Sequence, residues 1–149
     1  MIITVKKLPR KEFAAIYKKV PRLSVDVIIK GRKGIVFTKR DITPWKGMWH
    51  IPGGTVLLGE RLTDAIARVA HEETGLTVRV KKLLGIVEYM RTERGVFAHS
   101  GSVAYLVAPV KGTLRGSPQG REAGYFSRFP RNGIAEQKQF LRAHKLMRG

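Results

Sequence analysis

The sequence predicts an α+β fold in which a mixed β-sheet is sandwiched between α-helices. Three observations carry that prediction. Stretches with a helical apolar stripe and stretches rich in β-branched residues follow one another in the order helix, hairpin, long loop, helix, strands, helix, which places helices against a mixed sheet. The composition, 43% hydrophobic and 27% charged over 149 residues, is that of a globular chain with one real core. No internal repeat or linker interrupts the chain, so residues 1–149 are expected to form a single domain.

Composition also excludes several classes. There are no cysteines, which removes disulfides, thiolate catalysis and sulfur-ligated zinc together. No apolar run is long enough to span a bilayer, and the N-terminal MIITVKKLPR lacks the apolar core of a signal peptide. The expectation is a cytoplasmic protein with no membrane association. The net charge of +18, from 29 Lys and Arg against 11 Asp and Glu, is unusual. Such a field concentrates polyanions and speeds their capture. It fits an RNA or phosphate-rich partner, and equally a generically basic proteome, because the cations are spread along the chain and form no single block.

The elements follow in order. Pro9 to Val20 sets Phe13, Ile16, Tyr17 and Val20 on one helical stripe and ends at Pro21. Leu23 to Lys30 and Gly34 to Lys39 are β-rich runs joined by GRKG, a hairpin signal. Asp26 interrupts the first run. Alternation allows it to face outward, and its polarity also makes it a candidate site residue. Arg40 to Gly54, RDITPWKGMWHIPGG, is a loop dense in Pro, Gly and Trp, whose terminal glycines let backbone approach a ligand closely. Trp45 or Trp49 can stack on a base there or simply pack; Trp49 is the substrate-binding candidate. His50 has no partner at metal-ligand spacing and reads as structural.

Leu62 to Thr74 is the next helix, with Leu62, Ala65, Ile66, Val69 and Ala70 as its apolar face and Gly75 at the expected left-handed C-cap. Thr77 to Arg91 reads as two short strands or one bent at Gly85, and Val96 to Val110 as a long strand, with TERG as the turn between them. Lys111 to Gly124 reads as loop, Tyr125-Phe126 as a short buried segment, and Ile134 to Arg148 as an amphipathic basic helix.

The chemistry concentrates between Gly54 and Leu76. Five residues separate Gly54 from Glu60 and seven separate Glu60 from Arg68, with Glu72, Glu73 and Gly75 following. Glu73 shares a helical face with Leu62, Ile66 and Val69, and a carboxylate on an apolar face is costly unless paired or bound to metal. Arg68 and Glu72 are four apart, so they also read as a surface ion pair, and Glu60 also reads as an acid favoured near a helix start. Taken together, residues at this spacing resemble the Nudix box, G-x5-E-x7-R-E-U-x-E-E-x-G-U, where U is a bulky aliphatic. Val69 stands where that pattern has the first glutamate of the R-E pair.

The resemblance implies a hydrolase acting on a nucleoside diphosphate linked to another group, with a nucleotide small molecule as substrate and Mg²⁺ (or Mn²⁺) as cofactor. On that reading Glu72 and Glu73 hold metal, and Glu122, three residues before Tyr125-Phe126, activates water. Within the family, KEFAAIYKKVPRLSVDVII and KRDITPWKGMWHIPGG are most similar to the GDP-mannose mannosyl hydrolases over roughly residues 11 to 76. Those enzymes displace GDP from the anomeric carbon, and they too carry an aliphatic at the Val69 position. That likeness implies diphosphate charge stabilisation by Arg40 and Arg68, metal ligation by the Gly54 carbonyl, Glu73 and Gln119, and a polar site role for Asp26. It departs at Gly120, where that subfamily has its general-base histidine, and at Thr55, where it has a further arginine. A third expectation is a Nudix-fold module that binds nucleotide or RNA with little turnover, and a homodimer is a candidate assembly.

Overall fold

The computed structural model describes residues 6–42, 45–93 and 95–148. Its elements are α1 (Arg10–Tyr17), β1 (Arg22–Gly31), β2 (Gly34–Lys39), β3 (Trp49–His50), β4 (Gly53–Thr55), α2 (Leu62–Thr74), β5 (Thr77–Glu93), β6 (Val96–Lys111), β7 (Glu122–Phe126) and α3 (Ala135–Ala143). The sheet is mixed and seven-stranded. The main path runs β3-β2-β1-β6-β5, with β4 added on β1 and β7 on β2. β1 runs parallel to β6 over Arg22 to Ile29 and antiparallel to β4. β1 and β2 pair only next to their turn, at Lys30↔Ile35 and Gly31↔Gly34, and then diverge. That divergence opens one end of the sheet, where β4 enters.

β1 is buried without interruption from Ser24 to Ile29, as expected of a strand covered on both faces. Val25, Val27 and Ile29 pack toward α2, whose Ala65, Ile66, Val69 and Ala70 meet them in one core. Ile28 belongs to a second core with Ile35, Phe37, Ile51 and Leu141 of α3. The sandwich anticipated from the sequence is therefore present, with α2 and α3 on opposite sides of β1.

Local signals set most boundaries. α2 ends at Gly75, whose φ of 73° is left-handed, where a Cβ would lie 2.8 Å from the Thr113 carbonyl oxygen. β5 is one strand, bent by register shifts between Val80 and Lys82 and between Leu83 and Gly85. The ladder of β5 and β6 reaches Glu93↔Val96, while the expected TERG turn includes Arg94, outside the described residues. Three expectations are corrected. The segment from Lys111 to Gly124 is not loop throughout, because β7 begins at Glu122 and pairs with Lys39 of β2. The C-terminal helix stops at Ala143; Lys145 takes a left-handed φ of 55°, and Arg128 bridges Arg148. α1 stops at Tyr17, and none of its side chains is buried. No helix among the described residues is long and apolar enough to cross a membrane.

Candidate active site

The site is built where β4 lies against β1, with α2 behind it. Asp26 and Gly53 are register partners, as are Val25 and Gly54. Close approach demands glycine at position 53 and leaves little room at position 54. A Cβ on Gly53 would lie 2.7 Å from Asp26 Oδ1 and 2.8 Å from the Val25 carbonyl oxygen. A Cβ on Gly54 would lie 3.0 Å from Val69 Cγ2. Val69, only 2% exposed, thus fills the space directly under Gly54 and belongs to the apolar core. The position where the box has a glutamate serves here as packing beneath the loop.

Glu73 projects from the same helix into a cavity of about 780 Å³, a volume within the range of small-molecule sites. Its Oε2 accepts a 3.0 Å hydrogen bond from the Gly53 amide. Burial pushes its pKa up to about 7, and nearby Asp26 adds to the rise; the Gly53 amide and Arg40 pull the other way. Asp26 is 5% exposed, and burial raises its pKa to about 6. Two carboxylates therefore line one wall on either side of Gly53.

The orientation of Asp26 is set by a hydrogen-bonded chain. The Ile51 amide donates to Gln137 Oε1 at 2.8 Å, so the Gln137 amide nitrogen is left to donate, and it does so to the Tyr89 hydroxyl at 3.0 Å. The Tyr89 hydroxyl in turn donates to Asp26 Oδ2 at 2.5 Å. A backbone N–H is an obligate donor, so it sets the polarity of every later link. Oδ2 is thereby committed as an acceptor, and Oδ1 lies at Gly53. His50, beside this chain, donates from Nδ1 to the Ile51 carbonyl at 2.8 Å, and its Nε2 accepts from the Thr38 hydroxyl at 3.0 Å. Burial lowers its pKa to about 4, so it is a neutral structural group.

Arg68 is occupied. Its Nε and Nη2 form a fork on Glu60 at 2.7 and 3.0 Å, Nη2 also donates to the Thr55 carbonyl at 2.9 Å, and Nη1 reaches Glu72 at 3.3 Å. The Arg68 side chain thus ties the β4–α2 loop to the helix. Glu60, which also accepts from the Leu57 amide, has its pKa lowered mainly by the Arg68 hydrogen bond. Arg40 and Gln119 both line the cavity. The Arg40 amide bonds to the Met48 carbonyl, and the Gln119 carbonyl accepts from the Asp41 amide at 2.9 Å, which joins the two loops that present these side chains.

Several expected residues are placed elsewhere. Arg68 was expected on a diphosphate; it lines the cavity, but four of its five N–H donors are engaged by Glu60, Thr55 and Glu72. Glu72 was expected on metal; its side chain is 41% exposed and lies on Lys7 at 2.9 Å and on Arg68, away from the cavity lining. Helical rotation of one residue separates it from Glu73. Glu122 was expected to activate water; it is exposed at the start of β7, opposite Lys39, and does not line the cavity. Trp49 packs on Phe126 at 4.8 Å between ring centres, and the tryptophan in the cavity is Trp45, which carries the Arg91 guanidinium at 4.7 Å. A side chain at position 120 has no room, since a Cβ there would lie 2.8 Å from the Lys39 carbonyl oxygen. Sequence reading missed Tyr89, Gln137, Arg22 and Arg91. A glutamine on the apolar stripe of α3 was the one signal available for Gln137.

Among the described residues no three His, Asp or Glu side chains converge as a metal cluster. The oxygen donors present, the Glu73 carboxylate with the Gly54 carbonyl and the Gln119 amide as neutral candidates, fit Mg²⁺. That ion keeps several waters and commonly takes only one or two protein carboxylates beside substrate phosphates.

Comparisons with known proteins bear on the fold and family. The family model described as NUDIX domain matches residues 20–147. An ADP-ribose pyrophosphatase of Methanocaldococcus jannaschii is 36% identical over 106 residues, 71% of this chain and 62% of that protein. The low-salt glycan biosynthesis protein Agl8 of Haloferax volcanii is 42% identical over 83 residues, 56% of this chain and 53% of that protein. The match therefore spans between half and two thirds of these relatives' lengths. The crystal structure of a MutT NUDIX hydrolase from Burkholderia pseudomallei superposes with a TM-score of 0.75 at 25% identity, over 83% of this chain and 98% of that one.

Proposed function

The chain belongs to the NUDIX family, and on that premise we propose that it is a divalent-metal-dependent hydrolase that cleaves the phosphoanhydride bond of a nucleoside diphosphate linked to another group. The observation that carries the reading is the wall formed by Glu73, Gly53 and Asp26 in a cavity that Arg40 also lines. A phosphoanhydride needs its oxygens neutralised, a water held in line and a leaving oxygen that can accept charge. Glu73, with the Gly54 carbonyl and Gln119, would hold Mg²⁺, which when bound neutralises phosphate oxygens and acidifies water. Arg40 supplies a planar fork of donors suited to two phosphate oxygens at once. Asp26, oriented by Tyr89, presents Oδ1 as the acceptor for a proton from the attacking water; it lines the cavity, which Glu122 does not. The P–O bond to the leaving phosphate breaks as the water oxygen bonds to phosphorus, and each product carries one terminal phosphate.

The names of relatives support the same class: one is an ADP-ribose pyrophosphatase. Glycosyl transfer from a GDP-sugar to water is disfavoured here, because position 120 is closed to a base by the β2 backbone. The test is product identification. ADP-ribose, GDP-mannose, dinucleoside polyphosphates and capped or triphosphorylated RNA are incubated with Mg²⁺ and the products separated. A nucleoside monophosphate with a phosphorylated partner is expected. GDP with free mannose would replace this reading by attack at the anomeric carbon, and retained ligand binding without turnover would replace it by a binding module. The +18 charge favours fast capture of any such anion.

A further inference from the structure

Two arginines meet at Thr55 from opposite directions. Arg68 reaches its carbonyl and makes ion pairs with Glu60 and Glu72. Arg22, at the start of β1, reaches its hydroxyl, with Nη1 donating to Oγ1 at 2.8 Å. Among the described residues that neutral hydroxyl is the one side-chain hydrogen-bond partner Arg22 has, and it makes no ion pair. Yet Arg22 lies in the cavity wall, half-buried, with the Phe13 ring 6.0 Å from its Cζ. Burial lowers its pKa, with Tyr17 and Asp26 offsetting part of that effect. A guanidinium is planar and stays charged, so a half-buried one held by a hydroxyl keeps donors for an anion that arrives from the cavity.

The wall beside it is also informative. α1 buries none of its side chains, so the core does not need it. Its Phe13 and Tyr17 rings, 4.7 Å apart, nevertheless line the cavity with Ile16. Leu57 and Leu58 face the same space. An aromatic and aliphatic surface, its two rings tilted by 59°, next to an arginine that makes no ion pair matches the two parts of a nucleotide, a base and its phosphates.

We propose that Arg22 is the specificity-determining cation for the phosphates of the nucleoside diphosphate end, and that the Phe13–Tyr17 side of α1 forms the wall for its base. The proposal deepens the hydrolase reading and rests on it for the substrate class. Arg22 would thus do for the ligand what Arg68, locked on Glu60, cannot.

The test uses non-hydrolysable probes, so binding is read independently of turnover. Calorimetric dissociation constants for α,β-methylene-ADP and for methylenediphosphonate are measured with Mg²⁺ on the full chain and on Arg22→Met, Arg22→Lys and Phe13→Ala. Arg22→Met is expected to weaken both probes about 10- to 100-fold, and Arg22→Lys to recover part of the loss. Phe13→Ala is expected to weaken α,β-methylene-ADP about fivefold and leave methylenediphosphonate within about twofold. Thermal unfolding identifies a variant that has lost its fold, and Thr55→Val then serves in place of Arg22→Met, since it keeps the charge and frees its position. The proposal is overturned if the wild type binds neither probe, if Arg22→Met binds both like wild type, or if Phe13→Ala weakens the two probes equally. Loss of probe binding in Arg22→Met with no turnover of any substrate by the wild type would leave this inference standing and remove the hydrolase reading.

Discussion

Glu72 and Glu73 are neighbours in the chain and opposites in setting. Glu72 is exposed and neutralised twice, by Lys7 and by Arg68. Glu73 enters the cavity with its carboxylate accepting from the Gly53 backbone amide, and burial drives its pKa up to about 7. One residue of helical rotation, about 100°, produces this difference. The same contrast separates Arg68, whose fork is closed on Glu60, from Arg22, which rests on a hydroxyl. In this box the groups joined in ion pairs, Arg68 with Glu60 and Glu72, tie the loop to the helix, while Glu73 and Arg22 face the cavity without an ion pair among the described residues. Chemical type alone does not distinguish the two sets.

The largest effect should come from the two glutamates. Glu73→Gln is expected to lower kcat/KM for the hydrolysed substrate about 10³-fold, near 4 kcal/mol of transition-state stabilisation. Glu72→Gln should cost less than about tenfold, and equal losses in steady-state kinetics would erase the contrast.

His50 gives the next effect, in stability. It is buried like Glu73 but hydrogen-bonded at both ring nitrogens, and its folded pKa of about 4 lies below the ordinary 6.5. The folded state therefore resists a proton that the unfolded chain accepts. The unfolded chain binds more protons between those values, so stability falls as pH drops through 6.5 and stops falling near 4. Between pH 7 and 4 the wild type should lose roughly 3 kcal/mol relative to His50→Gln, read from urea midpoints of both proteins at each pH. Parallel pH curves would remove this assignment.

Arg68→Met should then lower unfolding stability by roughly 2 kcal/mol, because Glu60, with a side chain only 5% exposed, loses its fork. Denaturant unfolding measures it, and the KM of the correctly folded fraction should change little. A KM rise with unchanged stability would return Arg68 to the substrate. The smallest effect expected is that of Tyr89→Phe, which removes the donor to Asp26 Oδ2. Stability should fall by about 1 kcal/mol, and kcat should fall more than KM rises if Asp26 acts on the water. A change confined to stability would make the chain from Ile51 purely structural.

The fold was legible because its signals are local. The apolar stripe of α2, its glycine cap and the GRKG hairpin depend on residues within a few positions of one another. Glu73 was legible for the same reason, since the helical period alone puts it on the apolar face. The placement of Glu122 outside the cavity lining was not legible, because it depends on where β7 begins, and pairing with Lys39 across the sheet decides that. Asp26 looked equally able to face outward, because alternation cannot tell a strand covered on both faces from one covered on a single face.

By itself, then, the sequence determined the family, the sheet-and-helix sandwich and the carboxylate that faces the cavity. Tertiary structure decided which charges were already spent. Arg68 meets Glu60 within one local loop-and-helix unit, but Tyr89 reaches Asp26 across 63 positions and Gln137 reaches Tyr89 across 48. It also decided that Val69 fills the space under Gly54 and that β2 closes position 120. Such contacts are set by the path of the chain through the sheet, and no periodicity within a short window encodes that path.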